Sequence, residues 1–172
     1  NGKPSSEHIS LGSAPLPAGG VDPIGATING TIIFRMGGMS TRLSQDFLGT
    51  LDSQGRVDSW QALDLVDNAT GPAWSPDSRQ IVYVARGRPL SPGVRVRNVA
   101  TGQDREVARI DGVIVNCVWA QQHPALYCGR QAGSQTEILS VSLDSGRAQT
   151  LGSLDGLRNI RRVSTDDRLL IT

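Results

Sequence analysis

Apolar residues fall in short runs along most of this chain, and each run ends in Gly, Pro, Asn, Asp or Ser. Val94, Val96 and Asn98 point to one side of an extended segment, while Arg95, Arg97 and Val99 point to the other. Leu139, Val141 and Leu143 alternate in the same way with Ser140 and Ser142. That period of two predicts strands with one apolar and one polar face. Ile81 to Val84 and Thr31 to Phe34 are apolar without interruption, as expected of strands covered on both sides. The segment 57–63 is ambiguous, because Val57, Trp60 and Leu63 also fit two turns of helix. Its alignment with 106–110 favours an outer strand.

The strands recur in a fixed order. Gly71-Pro72-Ala73-Trp74-Ser75-Pro76-Asp77-Ser78 leads into Ile81-Val82-Tyr83-Val84, then Val94 to Val99, then the turn Thr101-Gly102. Val115 to Trp119 leads across Gln121-Gln122-His123-Pro124 into Ala125-Leu126-Tyr127-Cys128, then Ile138 to Leu143, then Asp144-Ser145-Gly146. Trp74 and Trp119 stand 45 positions apart, Gly102 and Gly146 44. Weaker copies flank these. One runs from residues 25–28 through Asn29-Gly30 and Thr31-Ile32-Ile33-Phe34 to the turn at Gly55; the other begins at Ile160 and continues through Thr165-Asp166-Asp167 to Ile171. Proline presets φ in the Ser-Pro-Asp-Ser turn, and glycine accepts positive φ in the hairpins. A period of roughly 40–45 residues carrying several short strands is that of a four-stranded propeller blade.

The run Ala-Trp-Ser-Pro-Asp-Ser-Arg-Gln-Ile-Val-Tyr at 73–83, followed by Val-Arg-Val-Arg-Asn-Val-Ala-Thr-Gly at 94–102, resembles the WD40-like (PD40) repeat of the TolB-like β-propeller family. The other copies depart from it. The next has Gln-Gln-His-Pro in place of Ser-Pro-Asp, the last has Ser-Thr-Asp-Asp-Arg, and the first has only Asn-Gly. The expected fold is all-β, a partial β-propeller of about three and a half four-stranded antiparallel blades, spanning approximately 21–66, 67–110, 111–154 and an incomplete 155–172. Residues 1–20, rich in Pro, Gly and Ser, are expected to form a linker or peripheral arm with a short edge strand at 8–11. The resemblance implies a bacterial module that binds proteins or small ligands outside the cytoplasm, in the periplasm or envelope. It also allows a sensor or accessory propeller beside a kinase, transcriptional regulator or hydrolase domain on a longer chain. It carries over no catalytic residue.

Composition narrows the partners. A net charge of +1 gives no field for nucleic acid or an anionic membrane, and no apolar run approaches a membrane span. Of the 17 basic residues only Lys3 is lysine, and arginine suits carboxylates. No nucleophile elbow, phosphate-cradling loop or paired Cys-x-x-Cys is present, so no enzyme activity, metal or cofactor is expected. His8 and His123 are expected to be solvated, and Asp77, Asp166 and Asp167 to cap turns. Cys117 and Cys128 lie on the two strands of one hairpin, opposite or one residue out of register. A cross-strand disulfide is one reading, implying an oxidising compartment; two buried thiols is the other.

The loops joining second to third strands, 36–44, 85–93 and 129–135, are the long ones. They share an end of the blades with the connections at 64–71, 111–113 and 155–158. Arg42, Arg86, Arg88, Arg130 and Arg158 fall there, a candidate surface for a protein partner or an acidic ligand. Asp64, Asp67, Asp111 and Asp155 on the same end fit an ordinary solvated surface equally well. An unpaired last strand at 168–172 is expected to promote self-association; the blades are read as a fragment of a longer propeller, the alternative being that two copies complete one ring of about seven blades.

Overall fold

The computed structural model describes residues 20–27, 29–37, 45–65, 69–85 and 93–172. The expected arm and its strand at 8–11 lie outside these. All regular structure among the described residues is β-strand, in 14 strands. The chain forms two compact units, residues 1–64 and 65–172.

The first unit holds one antiparallel meander, β1 (Gly20–Ala26), β2 (Thr31–Gly37), β3 (Gln45–Leu51) and β4 (Val57–Ala62), hydrogen-bonded in that order. The segment at 57–62 is a strand because it pairs along β3, where Phe47 sits opposite Ala62. Trp60 meets Phe47 edge-on at 5.1 Å, and Phe47 stacks on its cross-strand partner Phe34 at 5.6 Å. The carboxylate of Asp46 is buried, yet Arg35 grips it through two N–H donors at 2.7 and 2.9 Å. A bidentate pair of this kind satisfies a charge that would otherwise be costly to bury.

The second unit holds two more meanders and a hairpin. They are β5 (Ala69–Trp74), β6 (Gln80–Ala85), β7 (Gly93–Asn98) and β8 (Asp104–Arg109); β9 (Val113–Trp119), β10 (Ala125–Ala132), β11 (Gln135–Ser142) and β12 (Ala148–Asp155); then β13 (Ile160–Val163) with β14 (Leu169–Ile171). Every pairing is antiparallel between chain neighbours, the topology of successive blades. Val82, Val84, Val94 and Val96 on one face of β6–β7 form a single buried cluster with Trp119, Leu126, Cys128, Leu139 and Val141 of the next sheet. The opposite face of that next sheet, through Val118, Tyr127 and Ile138, buries Ile160 and packs Val163, Leu169 and Ile171. Strand β6 is buried along Ile81 to Val84, as its uninterrupted apolar run predicts.

Cross-strand pairing also corrects the repeat. Trp74 pairs with Ile81 and Trp119 with Leu126, so Ile81 matches Leu126 and Tyr83 matches Cys128. Tyr127, which looks like the counterpart of Tyr83 in sequence, occupies the place of Val82 and points to the other face.

Side chains gripping main chain join the sheets. The Trp119 indole N–H donates to the Ala73 carbonyl at 3.0 Å. The Asn116 amide donates to the Ile160 carbonyl at 2.6 Å and accepts from the Ile160 N–H at 3.2 Å. At the Trp119 end of the strands Gly146, at φ +67°, lies so close to the previous sheet that an added Cβ would fall 2.3 Å from the Val107 carbonyl oxygen. Only glycine fits there. Gly133, at φ +62°, has nothing within 4 Å of an added Cβ. Gly146→Ala is therefore expected to lower stability by about 2 kcal/mol or more, combining the left-handed backbone cost with a clash, while Gly133→Ala incurs only the backbone part of about 1 kcal/mol. Urea denaturation of both variants compares the two.

Candidate binding face

The connections 110–113, 132–135 and 155–160 meet at one end of β9–β12, the end the arginine argument singles out. Arg42, Arg86 and Arg88 lie outside the described residues. Arg130 and Arg158 are both at this end, in roles that differ from each other. The long loop predicted at 129–135 is a two-residue turn, since β10 runs to Ala132 and β11 starts at Gln135. Arg130 thus sits within a strand, directly opposite Glu137, and its guanidinium donates to the Glu137 carboxylate, with Nε 2.7 Å from Oε2. Opposite charges equidistant from Gly133-Ser134 were the available signal for this pair. Arg158 is exposed: its Nε donates to the Asp155 carbonyl at 2.9 Å, and its backbone N–H donates to the hydroxyl of buried Thr136 at 2.9 Å. Thr136 in turn donates to the Gly156 carbonyl at 2.9 Å. One fully buried hydroxyl thereby fixes the segment that presents Arg158. Exposed Asp111, Gln131, Asp155 and Leu157 complete this end.

A second arginine group, not singled out in the sequence, lies on the face of β6–β8 turned away from β9–β12. Tyr83, Arg95 and Glu106 share one cross-strand row, Ile81, Arg97 and Asp104 the next. The Tyr83 hydroxyl donates to Asp104 Oδ1 at 2.5 Å, and Arg97 donates to Oδ2 at 2.9 Å. Arg95 stands 3.6 Å from Asp104 and 3.7 Å from Glu106, and Arg109 pairs with Glu106 at 2.8 Å. The alternation Val-Arg-Val-Arg placed these arginines on one face; their acids sit on the next strand, which periodicity within one strand cannot reveal.

His123 is in a turn and open to solvent, as expected, but it also has partners. It is half-exposed, with Nδ1 3.0 Å from Asp167 and Nε2 3.3 Å from the Tyr127 hydroxyl. Gln121 N–H donates to the same Asp167 at 2.6 Å, and the Gln122 amide reaches the Thr165 carbonyl at 2.5 Å. The Gln-Gln-His-Pro departure from the repeat is thus a latch onto the following turn. Asp77 and Asp166 do cap their own turns, each accepting from the serine two residues before, whereas Asp167, at φ +59°, reaches across. The Ser75 hydroxyl bond holds the Asp77 carboxyl below the ordinary range, helped by the Arg79 N–H. No three His, Cys, Asp or Glu side chains converge as metal ligands would among the described residues.

Cys117 and Cys128 are directly opposite, Cα atoms 4.1 Å apart, and are joined as a disulfide, both fully buried. The separation matches a non-hydrogen-bonded antiparallel pair, where side chains approach most closely.

This geometry defines a class: four-stranded antiparallel meanders following one another along the chain, two of them stacked face to face in the second unit, the blades of a β-propeller. No protein-family model matches the chain, and no curated protein does. Among solved structures it is similar to TolB from Acinetobacter baumannii at 15% identity and TM-score 0.70, over 89% of this chain and 37% of that one. It is similar to a putative TolB from Agrobacterium tumefaciens at 11% identity and TM-score 0.58, over 71% and 42%. The β-propeller domain of the Trilobed protease from Pyrococcus furiosus matches at 13% and 0.51, over 81% and 43%. The fold is that of a TolB-like β-propeller, of which the chain forms about three and a half blades, and it spans less than half the length of these structures.

Two measurements follow. Thiol titration of the denatured, unreduced chain is expected to find no free thiol, and reduction to cost about 3 kcal/mol for a loop of this length; two free thiols would refute the bond. Burial, reinforced by the bond to Asp104, pushes the Tyr83 phenol up to about 12. Because the native value lies above the ordinary 10.0, this stabilisation is complete below pH 10 and is lost as pH climbs from there to about 12. Phenolate absorbance should show a tyrosine titrating at about 12 that disappears in Tyr83→Phe.

Proposed function

We propose that this chain is a non-catalytic binding module, which contacts a protein partner or an acidic ligand through the end of the blades that carries Arg158. The observation that supports this reading is the division of labour between Arg130 and Arg158. The first is spent on Glu137, whereas the second is exposed on a segment fixed from below by Thr136. A guanidinium held by its own backbone meets a carboxylate with little further ordering cost. Arg86 and Arg88, which lie between β6 and β7 in sequence, are proposed to add to it. Nucleic acid and membrane insertion are not part of the proposal.

The buried cystine supports an extracytoplasmic site of action, in the periplasm or cell envelope, since such bonds persist in oxidising compartments. A second reading draws on the protease propeller among the similar structures: these blades serve as the accessory or sensor part of a longer polypeptide, and a different domain reacts or signals. The two readings differ in what flanks the blades in the natural polypeptide.

The test is capture from the source organism's envelope fraction by the full-length protein. Arg158→Glu is expected to reduce capture at least about tenfold, as removal of a charge-assisted bond does, while leaving the unfolding midpoint unchanged. Arg130→Ala is expected to do the reverse, orphaning Glu137 and lowering stability by about 1 kcal/mol with capture retained. Equal capture by wild type and Arg158→Glu would eliminate this face.

A further inference from the structure

The fourth strand of a blade is its outer edge whatever ring the blades complete, so its free backbone groups face outward. Natural edges are guarded by charge, and two of the three here follow that rule. β8 carries Asp104, Arg105, Glu106 and Arg109, and β4 carries Asp58. β12 does not: from Ala148 to Leu154 it holds no charged residue and no proline, it is exposed along its whole length, and Leu151 and Leu154 are 53% and 38% exposed.

Three further features mark this edge as open to another strand. Leu151 is the extra residue of a bulge, falling between Thr150 opposite Leu139 and Gly152 opposite Ile138. Its main-chain groups therefore have no place in the ladder with β11. An added Cβ at Gly152 would meet nothing within 4 Å, the kind of opening at which a second backbone can approach closely. The charges bounding the strand have opposite sign, Arg147 before it and Asp155 at its end. Arg147 makes no side-chain bond among the described residues, and Asp155 accepts only one, from Gln135 at 2.9 Å.

We infer that β12 pairs antiparallel with β12 of a second copy about a two-fold axis at Leu151. That register sets Leu151 against itself, Thr150 against Gly152 and Ala148 against Leu154 of the other copy. It also sets Arg147 of each copy against Asp155 of the other. Any other register of an antiparallel self-pair moves the two charges out of opposition. Two such ion pairs form per dimer, because a two-fold contact repeats every interaction. The occupant is a second copy because the strand's charge pattern is complementary to its own reverse. This edge reaches the Arg158 end at Asp155 and is separate from β14.

The test is sedimentation equilibrium with charge reversal. Arg147→Asp and Asp155→Arg singly each place like charges opposite one another twice per dimer and should weaken association about tenfold, while the double variant restores it. Under mild oxidation Leu151→Cys should cross-link copies, whereas Ser153→Cys should not, since the two Ser153 positions stand about 13 Å apart in this register. Circular dichroism of each variant checks that the sheets are intact. A chain monomeric at every concentration, a dimer indifferent to both single reversals, or cross-linking that prefers position 153 overturns the proposal.

Discussion

Burial of one apolar sheet face against the next is the contact on which the second unit depends. Val82, Val84, Val94 and Val96 meet a face built from Trp119, Leu126, Cys128, Leu139 and Val141, all removed from water. Such burial is non-directional: valines and leucines alone would tolerate sliding of one sheet over the other. Directional bonds at the margins remove that freedom. The Trp119 indole, the Asn116 amide and the Gln121 to His123 latch each fix one sheet against its neighbour at a different height, and the backbone of Gly146 wedges against Val107. The cystine sits inside this same apolar face, holding β9 and β10 in register where no polar group helps.

Much of this architecture was legible in the residues. Alternation at 94–99 and the unbroken apolar run at 81–84 reported correctly how many faces each strand buries, because side-chain period is a property of a single strand. The extent of β10 was not legible: Gly129-Arg130-Gln131-Ala132 has neither the β-branched composition nor the apolarity of a strand, and it extends only because β11 pairs along it as far as Gln135. The match of Tyr83 with Cys128 was hidden for a related reason. One residue is lost between second and third strands, so the copies are offset by 45 at Trp119 and Leu126 but by 44 at Ser140 and Gly146, and carrying the 44 back to the second strand shifts the face.

The arginines divide by what lies across from them. Arg35, Arg97 and Arg130 find acids on a neighbouring strand, and each is consumed in keeping a charged row satisfied between strands. Composition alone could not separate these from Arg158, because the separation depends on cross-strand register. An arginine-rich sequence of this kind spends several of its cations internally before any surface is offered outward.

Three of the side chains that tie one sheet to the next share a property: each ends on a carbonyl or an amide of the main chain, at Ala73, Ile160 and Thr165. A main-chain acceptor is present whatever residue occupies the position, so the gripped blade can drift in sequence without releasing its neighbour. Architecture of this kind outlasts the residues that first encoded it. That is how a ring segment can superpose on known structures at 11–15% identity while matching no family profile.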